Sequence, residues 1–392
     1  MTTSTAPTVP DTRPSRAAAV VDRITGVTLS SVTLPLANPI SDAKVFTGRQ
    51  KPMTEVVVLV AEIRTESGLE GFGFGYSKRA GGPAQLAHAV EVAPELIGED
   101  PSDIARLWTK LVWAGASVGR SGASTQAVAA IDVALWDLKA KRAGLPLAKL
   151  LGAHRDSVRC YDTSGGFLHE TIEQVCDNAT RTLEAGIGAL KIKVGLPDTA
   201  EDVRRVTALR EHVGPDVPLM VDANQQWDRA RAVRAVRALE PLDLVWVEEP
   251  LDAYDAEGHA DLARTFDTPI ASGEMLTSVA EHLELVRHRA VDVIQPDAPR
   301  IGGITQFLKL ATVAEQHHLT LAPHFAMEIH LHLAAAYAHE PWVEHFDWFA
   351  PLFHEELETS GGRMHLSDRP GLGVTPTDRL RAWTTRSVTV GA

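Results

Sequence analysis

The sequence predicts an α/β protein: a modified TIM barrel in its second part, preceded by a smaller α+β region. Three observations predict it. After about Val158, short apolar strand-like segments alternate with mostly amphipathic helical stretches until eight strands are counted. Before that point the strands come first and the helices afterwards, the mark of an α+β unit. A polar residue also closes nearly every one of the later strands, in step with the repeat. The 392 residues suit a large barrel with a smaller partner domain.

In chain order, residues 1–22 are rich in Thr, Pro, Ser and Ala and lack a continuous apolar core. They read as a flexible tail and not as a secretory signal. The α+β domain is expected over 23–150, completed by the C-terminal stretch 352–392. It opens with strands from about Ile24. A β-rich run from Glu55 to Arg64 turns at Glu66-Ser67-Gly68 and returns to Tyr76, a hairpin or meander. Pro101-Ser102-Asp103 reads as a helix start. From Ala123 to Arg142, Val128, Ile131, Leu135 and Leu138 share one face, and Gly144 and Pro146 end the helix. The barrel is expected over 151–351. Its strands lie in VRCYDTSGG, ALKIKVG, VPLMVDANQ, LDLVWVEEP, TPIASGE, VDVIQPDAP, LTLAPHFA and WVEHF.

Composition narrows the function. Hydrophobic residues make up 44% and charged residues 23%, which allows a core of normal size. A formal charge of −13 with no basic run disfavours nucleic acid and anionic membranes, yet a pocket inside an acidic protein can be locally cationic. Only Cys160 and Cys176 occur, without metal spacing, so a disulfide framework is not expected and a cytoplasmic protein is. No stretch approaches the roughly 18 apolar residues of a membrane-spanning helix.

The strand-end residues carry the chemistry. They are Lys191 and Lys193, Asp222, Glu248, Glu274, Asp297, His324 and Glu344, with steps from Lys193 of 29, 26, 26, 23, 27 and 20 residues. Each step is close to one βα unit, and all strand C-termini of a barrel converge on one mouth. Asp222, Glu248 and Glu274 supply three carboxylates from successive strands, a donor set for a hard cation such as Mg²⁺. One such acid alone would more often cap a helix or pair with Arg; three in phase do not fit that reading. Lys191 and Lys193, two apart on a strand, both point into the pocket, where mutual repulsion favours a neutral amine able to act as a base. Lys139 and Lys141 have the same spacing on a helix and read as a solvated face. Asp297 and His324 end neighbouring strands, where a carboxylate can hold an imidazole and raise its basicity. His330 and His332, in the following helix, read as structural.

Two other motifs carry less. Gly115-Ala116-Ser117-Val118-Gly119 spells GxSxG but follows a helix, so it is no nucleophile elbow. Gly71-Phe72-Gly73-Phe74-Gly75 opens no helix and does not support dinucleotide binding.

With these residues in view, the chain resembles the mandelate racemase branch of the enolase superfamily over nearly its whole length. Lys191-Ile192-Lys193, the three carboxylates, the Asp297–His324 pair and Glu344 match that branch's pattern. SDAKVFTGRQKPMTEV, YSKRAGG, WAGASVGRSG, VDANQQWD, QPDAPRIGGI and LAPHFAMEIHLHLAAAY make it most similar to the L-talarate/galactarate dehydratases. The resemblance implies a (β/α)₇β barrel with a capping domain and one Mg²⁺ per subunit on Asp222, Glu248 and Glu274. It implies catalysis by Lys193, His324, Asp297, Lys191 and Glu344. Asp42, Lys44, Lys78, Arg79, Lys191, Asn224 and Glu344 would contact substrate. The implied reaction removes the proton next to a carboxylate of an acid sugar and eliminates the 3-hydroxyl, giving a 3-deoxy-2-keto acid, with some C2 epimerisation. The partner is then a small acid sugar, with no nucleic acid or membrane, and the enzyme a homo-oligomer. Another acid-sugar dehydratase or a racemase/epimerase is the alternative within enzymes, and an acid-sugar-binding regulator the alternative outside them.

Overall fold

The computed structural model describes residues 22–392; the expected N-terminal tail, apart from Asp22, lies outside the described residues. The chain opens with three antiparallel strands, β1 (Ile24–Ile40), β2 (Met53–Thr65) and β3 (Glu70–Lys78). The C-terminal strand Thr384–Gly391 pairs antiparallel with β1, so the last residues of the chain complete the first sheet. β2 and β3 form the expected hairpin, with Thr65 N–H bonding the Leu69 carbonyl across the turn.

The helix Ala123–Ala143 lies against that sheet. Its closest approach is at Gly71 and Gly73, where a Cβ would collide with the Ala134 backbone and, at Gly71, sit 2.6 Å from Leu138 Cβ. The glycines of the Gly-Phe-Gly-Phe-Gly run therefore let a helix pack on a strand. The one apolar face read from the sequence is only half of this helix's burial. Val128, Ile131, Leu135 and Leu138 do pack into one cluster, but Val133 and Ala140 join a second cluster shared with the barrel. Asp132 on the barrel side accepts from the Thr305 N–H at 2.9 Å and from its hydroxyl at 2.6 Å. A helix buried on two sides needs no single apolar stripe. Gly144 ends it in the left-handed conformation at φ 66°, as its position predicts.

The barrel strands are β4 (Ser157–Asp162), β5 (Ala189–Lys193), β6 (Leu219–Asp222), β7 (Val247–Glu248), β8 (Ile270–Ser272), β9 (Val293–Ile294), β10 (Thr320–Leu321) and β11 (Trp342–His345). They run parallel in sequence order, and β11 pairs back onto β4 with Val343 opposite Cys160. Helices follow the first seven strands, which gives (β/α)₇β. Tyr161, Met220, Trp246, Ala271, Val293 and Trp342 fill the interior, so the barrel is a packed core whose chemistry is confined to its mouth. No helix among the described residues is long and apolar enough to cross a membrane.

Candidate active site

Every strand-end residue read from the sequence reaches the mouth. Asp222, Glu248 and Glu274 are buried, and one oxygen of each lies within 4.8 Å of the others. Lys191 Nζ donates to both Glu248 oxygens at 2.7 and 2.8 Å and meets Glu344 Oε1 at 3.0 Å. Lys193 pairs with Asp222. Glu344 also accepts from the Thr163 hydroxyl at 2.5 Å and from the Phe325 N–H at 2.7 Å. Asn224 donates from its N–H to Asp222 Oδ1 at 2.7 Å and from its amide to Oδ2 at 3.0 Å, while its own Oδ1 is buried without a partner. An orphaned amide oxygen beside three carboxylates adds a hard donor to an all-oxygen set, which is the chemistry a hard divalent cation takes. The residues fit such an ion.

The electrostatics differ from the expectation at two points. Burial and the Lys191 charge both act on Lys193 in the lowering direction, but Asp222, joined by Glu274 and Glu248, outweighs them and keeps the Lys193 ammonium above its ordinary range. His324 Nδ1 lies 2.8 Å from Asp297 Oδ2, as expected of the pair. Burial, followed by the Lys78 charge, nevertheless pulls His324 well below the usual imidazole range, so Asp297 does not leave it more basic. Burial likewise pushes the Asp297 carboxyl up to about 7, although the Arg300 charge and the Tyr76 hydroxyl act to lower it. Glu274 goes the other way: burial opposes its charge, yet Lys193, Lys44 and Lys78 hold it down at about 2.

The roof of the pocket comes from the first sheet and its loops. Asp42 caps the short helix Ala43–Phe46 and pairs with Arg79 at 3.2 Å. Arg79 also donates to the Lys51 carbonyl at 3.1 Å, so this expected substrate contact is tied into the roof itself. Lys78, at the end of β3, reaches down until its Nζ is 3.4 Å from His324 Nε2 and 4.4 Å from the centre of the Phe325 ring. Tyr76, Phe346 and Trp348 surround the same ammonium. Burial lowers it to about 8. The cleft between roof and barrel is about 220 Å³ and is lined by Asp42, Lys44, Lys78, Arg79, Lys193, Asn224, Glu274 and His324.

Two residues at this site escaped the sequence reading. Tyr76 donates its hydroxyl to Asp297 Oδ2, joining the first sheet to the barrel's pair. It lies two residues before Lys78 on one strand, so a period-two reading from Lys78 finds it. Arg300 lines the cleft from the turn after Asp297; no strand phase marks it. Backbone strain gathers here too. Of nine non-glycine residues with positive φ among the described residues, Arg79, Asn224, Gln225, Glu249, Phe325 and Ala326 all follow strand ends at the mouth.

The model of the mandelate racemase/muconate lactonizing enzyme N-terminal domain matches residues 24–152, and that of the enolase C-terminal domain-like family matches 174–380. The chain belongs to the mandelate racemase/muconate lactonizing enzyme family. Among its relatives in this family, L-talarate/galactarate dehydratase of Salmonella typhimurium is 62% identical over 368 residues, covering 94% of this chain and 92% of that one. The 3,6-anhydro-alpha-L-galactonate cycloisomerase of Streptomyces coelicolor is 37% identical over 82% of this chain and 90% of its own. Solved family structures superpose closely. The Salmonella enzyme liganded with Mg and L-lyxarohydroxamate gives a TM-score of 0.96 at 59% identity, with all of both chains covered. L-talarate dehydratase from Polaromonas sp. JS666, complexed with Mg and L-glucarate, gives 0.92 at 67% identity over 95% of this chain and 100% of that one.

Proposed function

We propose that this protein is a Mg²⁺-dependent aldarate dehydratase acting on galactarate and L-talarate. The observation that carries the reading is one cleft holding three converging carboxylates, a lysine and an imidazole–carboxylate pair. The 62% identity to a dehydratase of these two sugars supports the choice of substrate.

Asp222, Glu248 and Glu274 would hold the Mg²⁺, with Asn224 beside them. When bound, the ion supplies Lewis-acid stabilisation of the negative charge that develops on the substrate carboxylate. Lys191, buried between Glu248 and Glu344, offers its ammonium to the same developing charge. Lys193 removes the C2 proton at Nζ. With the charges of Asp222, Glu248 and Glu274 engaged in ligation, burial and repulsion from Lys191 would remain, and both favour the neutral amine this step requires. His324 enters neutral, since burial holds it so, with Nδ1–H on Asp297 and Nε2 toward the cleft. It takes the proton from the epimer that presents it on the other side. The imidazolium formed in this way protonates the departing 3-hydroxyl; for the epimer deprotonated by Lys193, His324 does the same after taking a proton from solvent through the cleft. The C3–O bond breaks, water leaves, and the resulting enol tautomerises to a 3-deoxy-2-keto acid. Return of the proton by the opposite group inverts C2, which accounts for epimerisation as a side reaction.

The test is ¹H NMR of galactarate and L-talarate with enzyme and Mg²⁺ in D₂O. Formation of a keto acid with deuterium at C3 is expected. Absence of both product and C2 exchange would leave only an acid-sugar-binding protein. The same reading makes the enzyme a cytoplasmic homo-oligomer, which fractionation and light scattering test.

A further inference from the structure

Two inward-facing residues of the barrel have no part in the chemistry above. Trp246 immediately precedes β7 and Gln295 immediately follows β9, and both are closed off from solvent. Each stands two residues before a residue of the mouth, Glu248 and Asp297, so each points inward with it. The interior around them is filled by Tyr161, Met220, Ala271, Val293 and Trp342. A primary amide is a costly way to fill such a space, and the Gln295 carbonyl oxygen is buried there without a partner. Its nitrogen, by contrast, is well placed: Nε2 donates to Glu248 Oε2 at 2.7 Å. Turning the amide over would set that carbonyl against a carboxylate, so the charge of Glu248 fixes which way Gln295 faces.

The same oxygen takes two more donors. Trp246 Nε1 lies 3.1 Å from Glu248 Oε2, and Lys191 Nζ bridges Oε2 at 2.8 Å and Oε1 at 2.7 Å. Oε2 therefore accepts three N–H groups and Oε1 only one. A carboxylate oxygen offers about two lone-pair directions, so Oε2 is fully occupied and Oε1 keeps one free. The three donors come from alternate strands, β5, β7 and β9. Held from both sides, the carboxylate cannot turn without losing a bond. Such a group presents a single oxygen to an ion. That suits Mg²⁺, which demands a small, near-octahedral set of oxygens, better than Ca²⁺, which accepts more oxygens and bidentate carboxylates.

Resting on the assignment of Asp222, Glu248 and Glu274 as the Mg²⁺ ligands, we infer that Gln295 and Trp246 are positioning residues for the ion: they occupy Glu248 Oε2, leave Oε1 to ligate alone, and thereby favour Mg²⁺ over Ca²⁺. Neither residue touches substrate, so the inference concerns the ion and is independent of which acid sugar is turned over.

The test measures Mg²⁺ and Ca²⁺ binding separately, by calorimetry without substrate, on full-length protein stripped of divalent ions. Gln295→Met, of similar size but without the donor, is expected to weaken Mg²⁺ binding about 10- to 100-fold. Ca²⁺ affinity should change less than about threefold, because a carboxylate free to turn can offer it both oxygens. Trp246→Phe keeps a ring in the barrel and removes the N–H; it should shift the preference in the same direction and decides the matter if the methionine variant does not fold. Equal losses of both ions, which general damage to the site would produce, or an unchanged Mg²⁺ affinity would overturn the inference. Those results, with Mg²⁺ still bound by the unaltered protein, leave the ligand assignment standing. Failure of the unaltered protein to take up Mg²⁺ would remove that assignment, and the inference with it.

Discussion

The floor and the roof of the cleft handle charge in opposite ways. On the floor, Lys191, Lys193, Asp222, Glu248 and Glu344 are buried and each is within 3.0 Å of an opposite charge. At the rim and roof, Lys78 and Arg300 face the cleft with no carboxylate inside 4.0 Å among the described residues. A paired, buried set is costly to build and stays fixed once built. Unpaired cations around a small cleft are a standing demand for an anion. The floor therefore sets which reaction runs, and the upper part sets which acid is admitted.

The largest effect should come from breaking the floor. Chelation is expected to reduce dehydration to background and Mg²⁺ to restore it, while Glu274→Gln should lower kcat on the order of a thousandfold. Full turnover in metal-stripped protein, followed by coupled assay, would dissolve the distinction between floor and roof. Next come the two bases. Lys193→Ala and His324→Asn should each slow dehydration by about 10²- to 10⁴-fold. The surviving base should still exchange the C2 proton of the epimer that faces it. Deuterium uptake seen by NMR with neither variant would mean that the two groups do not act separately.

A smaller effect sharpens the roof itself. Lys78→Met should reduce kcat/KM for galactarate about tenfold or more, because an unmatched cation beside the substrate is lost. Lys44→Met should cost less, since Lys44 acts at longer range. Equal losses would show that distance to His324 is irrelevant. The smallest effect concerns a pair that faces away from the chemistry. His345 Nδ1 lies 3.1 Å from Asp162 Oδ1, and although burial opposes it, Asp162 raises the imidazole above its ordinary value. A raised folded-state value means stability that is present below the unfolded value of about 6.5 and lost as pH climbs through the folded one. His345→Gln is therefore expected to cost about 0.5–1 kcal/mol at pH 5.5, less at pH 8.5, and nothing in turnover. Urea melts at the two pH values check it; an equal loss at both would assign the effect to packing.

The same division explains what could be read from the sequence. Asp222, Glu248, Glu274, Asp297, His324 and Glu344 were legible because a barrel repeats, and one residue per repeat lands at the same height. The long hairpin of β2 and β3 was legible from alternation and a Ser-Gly turn. Lys44 lies in a four-residue helix, Lys78 is the last residue of a strand and Arg79 follows it; none shares the barrel's repeat, and only family likeness pointed to them. That likeness did not foresee that Arg79 is spoken for by Asp42. Arg300 was missed because it stands three residues past a strand-end acid, in a turn whose direction local sequence does not encode. The net proton affinities of Lys193 and His324 escaped for another reason. They depend on which of several opposed charges lies nearest, and that is a property of the folded cluster.

The contact of Gly71 and Gly73 with the helix Ala123–Ala143 has a consequence for how such a protein can change over generations. That strand ends in Tyr76 and Lys78, so a methyl group inserted two turns of helix away from the cleft would tilt the roof that carries them. Around the Asp42–Arg79 brace, the exposed positions of 44–50 can exchange residues and thereby try new acids, whereas these two glycines cannot vary without moving the strand that carries Tyr76 and Lys78. Diversification of substrate is thus channelled into the loop tips, and the seam beneath them is held still by the absence of two side chains.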